Sequence, residues 1–181
     1  DLMFELMCLS IYLVDLDFLS ANYDFSNTEM NTHVKPHKIF KKDTIKIGVF
    51  GIGIELEGLV DPFLYKETKY LDPIEITQDI TRTLKNDEHC DLIICLSHLG
   101  YHYKNDIDKI SDLKLGSLTS DIDLIIGGHT HTLLKKPEII KNSKNKDVII
   151  NQVGSNGVYV GKIDFNFSNF NINSSDSLVE V

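Results

Sequence analysis

The chain has 181 residues, of which 42% are hydrophobic and 25% are charged, and its formal net charge at pH 7 is −9. These values describe a globular chain of one domain or part of one, long enough to bury a hydrophobic core. The acidic charge argues against a surface that binds nucleic acid or anionic lipid, and no stretch is long and apolar enough to span a membrane.

Arginine and cysteine are scarce, and each scarcity excludes a kind of site. Arg82 is the only arginine, so these residues provide no bidentate guanidinium clamp for a phosphate. Cys8, Cys90 and Cys95 lack the spacing of a metal site or a disulfide framework. Cys95 lies within an apolar run and is predicted to be a core thiol. Cysteine usage therefore indicates no particular compartment.

The first part of the chain is predicted to be rich in strands. Residues 1–17 are apolar and would suit an amphipathic helix or a strand, but they lack the basic segment of a signal peptide. Residues 18–22 predict a short strand, and the polar residues 22–33 predict a loop. Residues 34–40 and 45–52 predict two strands of a hairpin, of which the second is the more central.

The glycines at positions 51, 53 and 58 resemble the phosphate-binding turn of a dinucleotide-binding domain only loosely. Gly58 has the wrong offset, and no helical pattern begins after Gly53. We therefore disfavour a dinucleotide site here. In the same segment Glu55 and Glu57 are expected to be solvated or structural, and not ligands.

Helices are predicted in the middle of the chain. Asp72 is suited to cap a helix whose first residue is Pro73 and whose end lies near residues 86–88. A buried strand is predicted at residues 92–96, and a second helix at residues 106–120.

The last part of the chain again predicts strands, at residues 137–140, 148–153 and 158–167, with turns at 141–147 and 154–157. Residues 169–181 are rich in Asn and Ser and are predicted to be a linker or tail. Strands that alternate with helices early and dominate late indicate an α/β fold.

Two apolar runs end in histidine, which is how buried strands of an α/β protein deliver ligands to a site. The first is Asp91-Leu-Ile-Ile-Cys-Leu-Ser-His98, and the second is Asp123-Leu-Ile-Ile-Gly-Gly-His129-Thr-His131. In an extended chain His129 and His131 would point the same way, roughly 6.6 Å apart. That separation suits two ions roughly 3.5–4 Å apart better than a single ion. A lone His-x-His can also consist of two exposed histidines in a loop. The presence of another apolar run that ends in histidine, at His98, favours a metal site.

His102 is expected to be a partly exposed structural residue.

These histidine motifs resemble those of the metallophosphoesterase superfamily. Ser97-His98-Leu99-Gly100 is followed, after about thirty residues, by Gly128-His129-Thr130-His131. The flanking segments are similar to the 5'-nucleotidase branch, which also contains cyclic-phosphodiesterase and nucleotide-sugar hydrolase members. Those flanking segments are residues 18–22, 45–51, 151–154 and 160–163. The resemblance extends over about residues 16–168.

The resemblance implies a fold and a domain organisation. The fold would be α/β, as part of a four-layer α/β/β/α metallophosphatase sandwich. Residues 1–17 would be an atypical N-terminal segment, 18–168 a partial catalytic domain, and 169–181 a linker or tail. In the family a C-terminal nucleotide-binding domain follows, and the proteins are periplasmic or exported.

The resemblance also implies a chemistry, in which a metal-activated hydroxide hydrolyses a nucleotide or another phosphoester. His98 and His129 would bind one divalent ion and His131 the other, with two ions in the complete family site. Histidine ligands favour Zn, Mn or Fe over Mg.

The sequence departs from the family in three motifs, namely a strand ending in Asp-x-His, a Gly-Asp and a Gly-Asn-His. The one literal Asp-x-His, Asp87-Glu88-His89, precedes a predicted strand and is interpreted as a solvated helix end. We therefore expect the C-terminal half of a catalytic domain that lacks the catalytic histidine, binds one ion weakly and has negligible phosphatase activity alone. The alternative is a truncated or degenerate non-catalytic domain that binds at most one metal.

Overall fold

The computed structural model describes residues 17–168 and 171–180. The expectations for residues 1–16, including the N-terminal helix or strand and Cys8, lie outside the described residues.

The described residues form twelve strands. In chain order they are β1 Phe18–Leu19, β2 Tyr23–Asp24, β3 Val34–Lys35, β4 His37–Lys42, β5 Ile45–Ile52, β6 Lys69–Tyr70, β7 Leu92–Ser97, β8 Leu124–Ile126, β9 Glu138–Lys141, β10 Asp147–Asn151, β11 Tyr159–Ser168 and β12 Asn171–Glu180. Three α-helices accompany them, namely α1 Pro62–Tyr65, α2 Pro73–Arg82 and α3 Asp112–Leu118. A 3₁₀ turn occupies Glu29–Thr32, and a π-helical turn, Thr83–Asp87, follows α2.

A six-stranded mixed sheet forms the centre of the fold, in the order β4-β5-β7-β8-β10-β9. The four inner strands β5, β7, β8 and β10 are parallel, while β4 and β9 pair antiparallel at the two edges. Parallel neighbours end at the same edge of a sheet, so the segments after β7 and β8 emerge side by side. The α/β prediction is confirmed, and so is the inner position of the strand at 45–52.

One face of the sheet is buried beneath helices. Its inward side chains include Phe50, Cys95 and Ile125, each with no exposed surface. They pack with Leu84, from the turn after α2, and with Leu115 of α3 in one hydrophobic cluster. The prediction that Cys95 is a core thiol is confirmed.

The two helices that cover this face begin at side-chain caps. Asp72 Oδ1 accepts hydrogen bonds from the backbone N–H groups of Ile74 at 2.8 Å and Glu75 at 2.9 Å, which confirms the predicted start of α2. The helix predicted at 106–120 is shorter than expected, because α3 begins only after Ser111. The Ser111 hydroxyl caps α3, whereas Asp106 closes a separate turn with Lys109.

Short strands cross the other face of the sheet near β5. The backbone N–H of Ala21 donates to Gly51 O at 2.8 Å, and a Cβ at Gly51 would overlap the carbonyl of Leu19. A Cβ at Gly53 would overlap the ring of Tyr23. Residues 54–61, which directly follow Gly53, form no helix. Close packing against the Leu19 backbone and the Tyr23 ring therefore explains the two glycines, and the dinucleotide alternative has no support.

Two segments carry more regular structure than predicted. Residues 22–33, predicted as a loop, contain β2 and the 3₁₀ turn. Within the segment 169–181, predicted to be a linker or tail, Asn171–Glu180 forms a strand that pairs antiparallel along β11. Backbone pairing with β11 organises this Asn- and Ser-rich segment in spite of its low β propensity. Among the described residues, no helix has the length and apolar character needed to cross a membrane.

Replacement of Gly51 by Ala should destabilise the chain because the new Cβ would meet fixed backbone. We expect the free energy of unfolding in urea to fall by about 1–3 kcal/mol. Gly48→Ala on the same strand is the matched control, since its Cβ would lie 3.0 Å from the Leu84 side chain, which can shift. A smaller loss of unfolding free energy for Gly51→Ala than for Gly48→Ala would contradict the close contact between Gly51 and the Leu19 backbone.

Candidate functional site

The candidate site lies where two neighbouring parallel strands end. Strands β7 and β8 pair in parallel with Leu96 opposite Ile126. His98 comes directly after β7, and its backbone N–H donates to Ile52 O at 2.8 Å. After β8 the chain turns at Gly127, whose N–H donates to Asn151 O at 2.9 Å. The sheet itself therefore fixes both segments that carry the candidate ligands.

His98 and His129 meet at this edge. Their ring centroids lie 5.3 Å apart with the ring planes at 71°. Gly128 permits this approach, because a Cβ there would lie 3.1 Å from His98 Nδ1. Two imidazoles that bind one zinc ion at about 2.0–2.1 Å and at a tetrahedral angle have ring centroids roughly 5 Å apart. The separation of the two rings therefore fits ligation of a single ion.

The surroundings of these two imidazoles favour the neutral form, which is the form that metals bind. Partial burial, and after it the charge of His131, lower the pKa of His98. Partial burial, and after it the charge of His98, lower the pKa of His129. Lowered values leave a nitrogen lone pair available near neutral pH.

His131 belongs to the same neighbourhood but does not complete a cluster. It influences the pKa of both other histidines, and its side chain is exposed. Within residues 17–168 and 171–180 there is no group of three or more His, Cys, Asp or Glu side chains arranged to hold a metal ion. The structure thus brings two of the three predicted ligands into ring contact.

The expectation of an extended His-x-His segment is wrong. Strand β8 ends at Ile126, and both His129 and His131 adopt left-handed backbone conformations, with φ of 68° and 52°. The N–H of Thr130 donates back to Gly128 O at 2.9 Å, which tightens the turn between them. The geometric argument that derived two ion positions from an extended chain therefore does not apply.

Sequence reasoning missed Gln152, a buried side chain beneath this turn. Gln152 is 2% exposed, and its Oε1 accepts hydrogen bonds from the N–H of Thr132 at 2.6 Å and from Thr130 Oγ1 at 3.0 Å. Its Nε2 donates to Gly128 O. The segment 151–154 contributed to the family resemblance, but a lone glutamine after a strand carries no chemical signal of its own.

Sequence reasoning also missed Asp112, which it placed inside a longer helix. Asp112 has no exposed surface, and its Oδ1 accepts a hydrogen bond of 2.5 Å from Ser97 Oγ. Its Oδ2 lies against Gly127 and has no hydrogen-bond partner among the described residues. Burial raises the pKa of Asp112 to about 7, against the lowering effect of the Ser97 hydrogen bond.

Other acidic residues and histidines considered in the sequence have exposed side chains. Glu55, Glu57 and His89 are exposed, as predicted. His102 is exposed in the loop after His98.

The titration of Asp112 should make stability depend on pH. The Asp112 carboxyl has a pKa near 3.8 when unfolded and about 7 when folded. Between these pH values the carboxyl is protonated in the folded state and ionised in the unfolded state. The free energy of unfolding should therefore fall as pH rises from about 4 to about 7. At about 1.4 kcal/mol per pKa unit, this one group contributes up to roughly 4 kcal/mol. Asp112→Asn cannot titrate and should show a smaller fall in urea unfolding across these pH values, whereas an unchanged fall would contradict the assignment.

Comparison with known proteins finds nucleotide phosphoesterases and 5'-nucleotidases among the relatives. The chain is 28% identical over 179 residues to the trifunctional nucleotide phosphoesterase protein YfkN of Bacillus subtilis, covering 90% of this chain and 12% of that protein. It is 31% identical over 157 residues to a 5'-nucleotidase of Vibrio cholerae, covering 77% of this chain and 28% of that protein. The chain spans about a third or less of the length of the curated relatives it matches. No family model matches the chain.

Solved structures show the same fold. A 5'-nucleotidase precursor from Thermus thermophilus superposes with a TM-score of 0.77 at 24% identity, over 94% of this chain and 34% of that one. The metallophosphatase fold implied by the sequence is thereby confirmed. In its histidine motifs, its fold and its relatives, this chain is similar to the 5'-nucleotidase branch of the metallophosphoesterase superfamily.

Proposed function

We propose that this chain contributes the metal-binding histidines of a metal-dependent phosphoester hydrolase of the 5'-nucleotidase type. The observation that carries the proposal is the 5.3 Å separation of the His98 and His129 rings at the ends of paired strands. His98 and His129 would bind one divalent ion, of Zn, Mn or Fe. His131, on the same turn, would serve a second ion in a site with further ligands.

A divalent ion held there would supply a Lewis acid and a hydroxide nucleophile near neutral pH. The residues of this chain hold ring nitrogens at fixed positions, and Gly127 and Gly128 let the backbone come close to a bound group. No guanidinium is available here for the phosphate, because Arg82 is exposed on the helix α2 and pairs with Asp79 at 3.0 Å. Binding of the phosphate charge would therefore depend on the metal site and on backbone groups of this chain, or on parts of the protein outside these residues.

The proposed substrate is a nucleotide or a related phosphoester. Support comes from the relatives, which are named as nucleotide phosphoesterases and 5'-nucleotidases. Selection of the nucleoside would belong to a C-terminal nucleotide-binding domain of the family.

A non-catalytic domain that binds at most one metal is the second candidate. The observation in its favour is that the described residues contain no group of three or more ligands for a metal. The coding sequence upstream of Asp1 discriminates between the two candidates. Asp-x-His and Gly-Asn-His motifs there would favour the hydrolase, and an open reading frame without them would favour the non-catalytic domain.

Metal binding by this chain should depend on the histidine pair. We expect one Mn²⁺ or Zn²⁺ per chain by elemental analysis, held weakly. His98→Ala and His129→Ala should each lower the metal affinity at least about tenfold in calorimetry, because each removes one of the two imidazole ligands. His102→Ala, an exposed histidine of the neighbouring loop, is the matched control and should bind like the original chain. Equal binding by all three variants would overturn the proposed site.

Phosphatase activity of this chain alone should be negligible, because the bridging carboxylate and the catalytic histidine of the family motifs are not among its residues. Hydrolysis of AMP with Mn²⁺ should not exceed that of Mn²⁺ in buffer. Turnover that His129→Ala abolishes would show instead that these 181 residues suffice for catalysis.

A further inference from the structure

We propose that Gln152 is the positioning residue of the histidine turn, which we define as residues 128–132. This inference rests on the proposed function, since it concerns the same metal-binding histidines. Gln152 would act through His129 and His131 by holding the backbone that presents them.

The first support is the backbone conformation of the turn. His129 and His131 both have positive φ values, 68° and 52°. A left-handed conformation is unfavourable for a non-glycine residue, so two of them in three residues need compensation from their surroundings.

The second support is the set of hydrogen bonds that Gln152 makes with the turn. Its Oε1 accepts from the N–H of Thr132 at 2.6 Å and from the hydroxyl of Thr130 at 3.0 Å. Its Nε2 donates to the carbonyl of Gly128. One side chain therefore contacts the turn at its first, middle and last residue, on both sides of each histidine.

The third support is the burial of Gln152, which is 2% exposed. A buried amide is costly unless its polar atoms are paired, and here both ends of the amide are used on the turn. Loss of the amide would leave the N–H of Thr132 without its acceptor, which would destabilise the turn.

Gln152 is itself fixed to the sheet. It directly follows β10, and its carbonyl accepts from the N–H of Leu134 at 2.9 Å. The N–H of Gly154 donates to Thr132 O at 3.0 Å. The turn is thus hydrogen-bonded to the end of β10. Gln152 therefore holds His129 and His131 in a fixed position relative to the sheet whose strand β7 precedes His98.

The test compares Gln152→Leu with a matched control in the same chain. Asn142 is also a buried amide, 6% exposed, and its Oδ1 accepts from the N–H groups of Lys144 and Lys146, each at 2.9 Å. It organises the turn between β9 and β10, which lies at the opposite end of β10 from Gln152. Asn142→Leu therefore controls for the general loss of stability that follows removal of a buried amide.

Two readouts are measured, namely amide hydrogen exchange of Thr132 by NMR without metal, and Zn²⁺ affinity by calorimetry. Gln152→Leu should accelerate exchange at Thr132 and weaken Zn²⁺ binding, each at least about tenfold. Asn142→Leu should change neither, even where it lowers the free energy of unfolding as much. Gln152→Glu keeps the two acceptor bonds and should restore part of both losses.

The outcomes separate this inference from the proposed function. Unchanged Thr132 exchange in Gln152→Leu, or equal losses of Zn²⁺ affinity in Gln152→Leu and Asn142→Leu, would overturn the positioning role. Absence of Zn²⁺ binding in the original chain would overturn the proposed function. The exchange measurement would then still decide whether Gln152 holds the turn.

Discussion

The parallel pairing of β7 with β8 is the constraint on which the site depends. Each strand is followed by a histidine-bearing segment, and parallel register places the two segments at one edge. An antiparallel arrangement of the same two runs would send His98 and His129 to opposite ends of the sheet. The buried face of these strands, with Cys95 and Ile125 beneath the helices, stabilises that register through apolar burial.

Hydrogen bonds from buried polar side chains then fix the conformation of the segments that follow these strands. Ser97 and Asp112 hydrogen-bond behind the first segment, and Gln152 hydrogen-bonds beneath the second. Both Asp112 and Gln152 approach Gly127, where a side chain would leave no room. Glycine in this motif therefore serves the packing of the groups behind the histidines.

The sequence predicted much of the fold, because strong local signals coincide with the tertiary structure. The capped start of the helix at Asp72, the hairpin strands and the two apolar runs were all recognisable from composition and spacing. Tertiary contacts decided the rest. The tail at Asn171–Glu180 is a strand because it pairs with β11, and the turn after β8 is left-handed because backbone and Gln152 contacts hold it so. Neither contact has a signature in nearby residues.

The central claim is that His98 and His129 together form a binding site for one divalent ion. Crystals of this chain soaked with Mn²⁺ and measured at the Mn absorption edge test it most directly. The account predicts an anomalous peak within bonding distance of one ring nitrogen from each histidine, lost in His98→Ala. A peak held by other residues, or no peak at this pair in crystals where both rings are ordered and accessible, would contradict it.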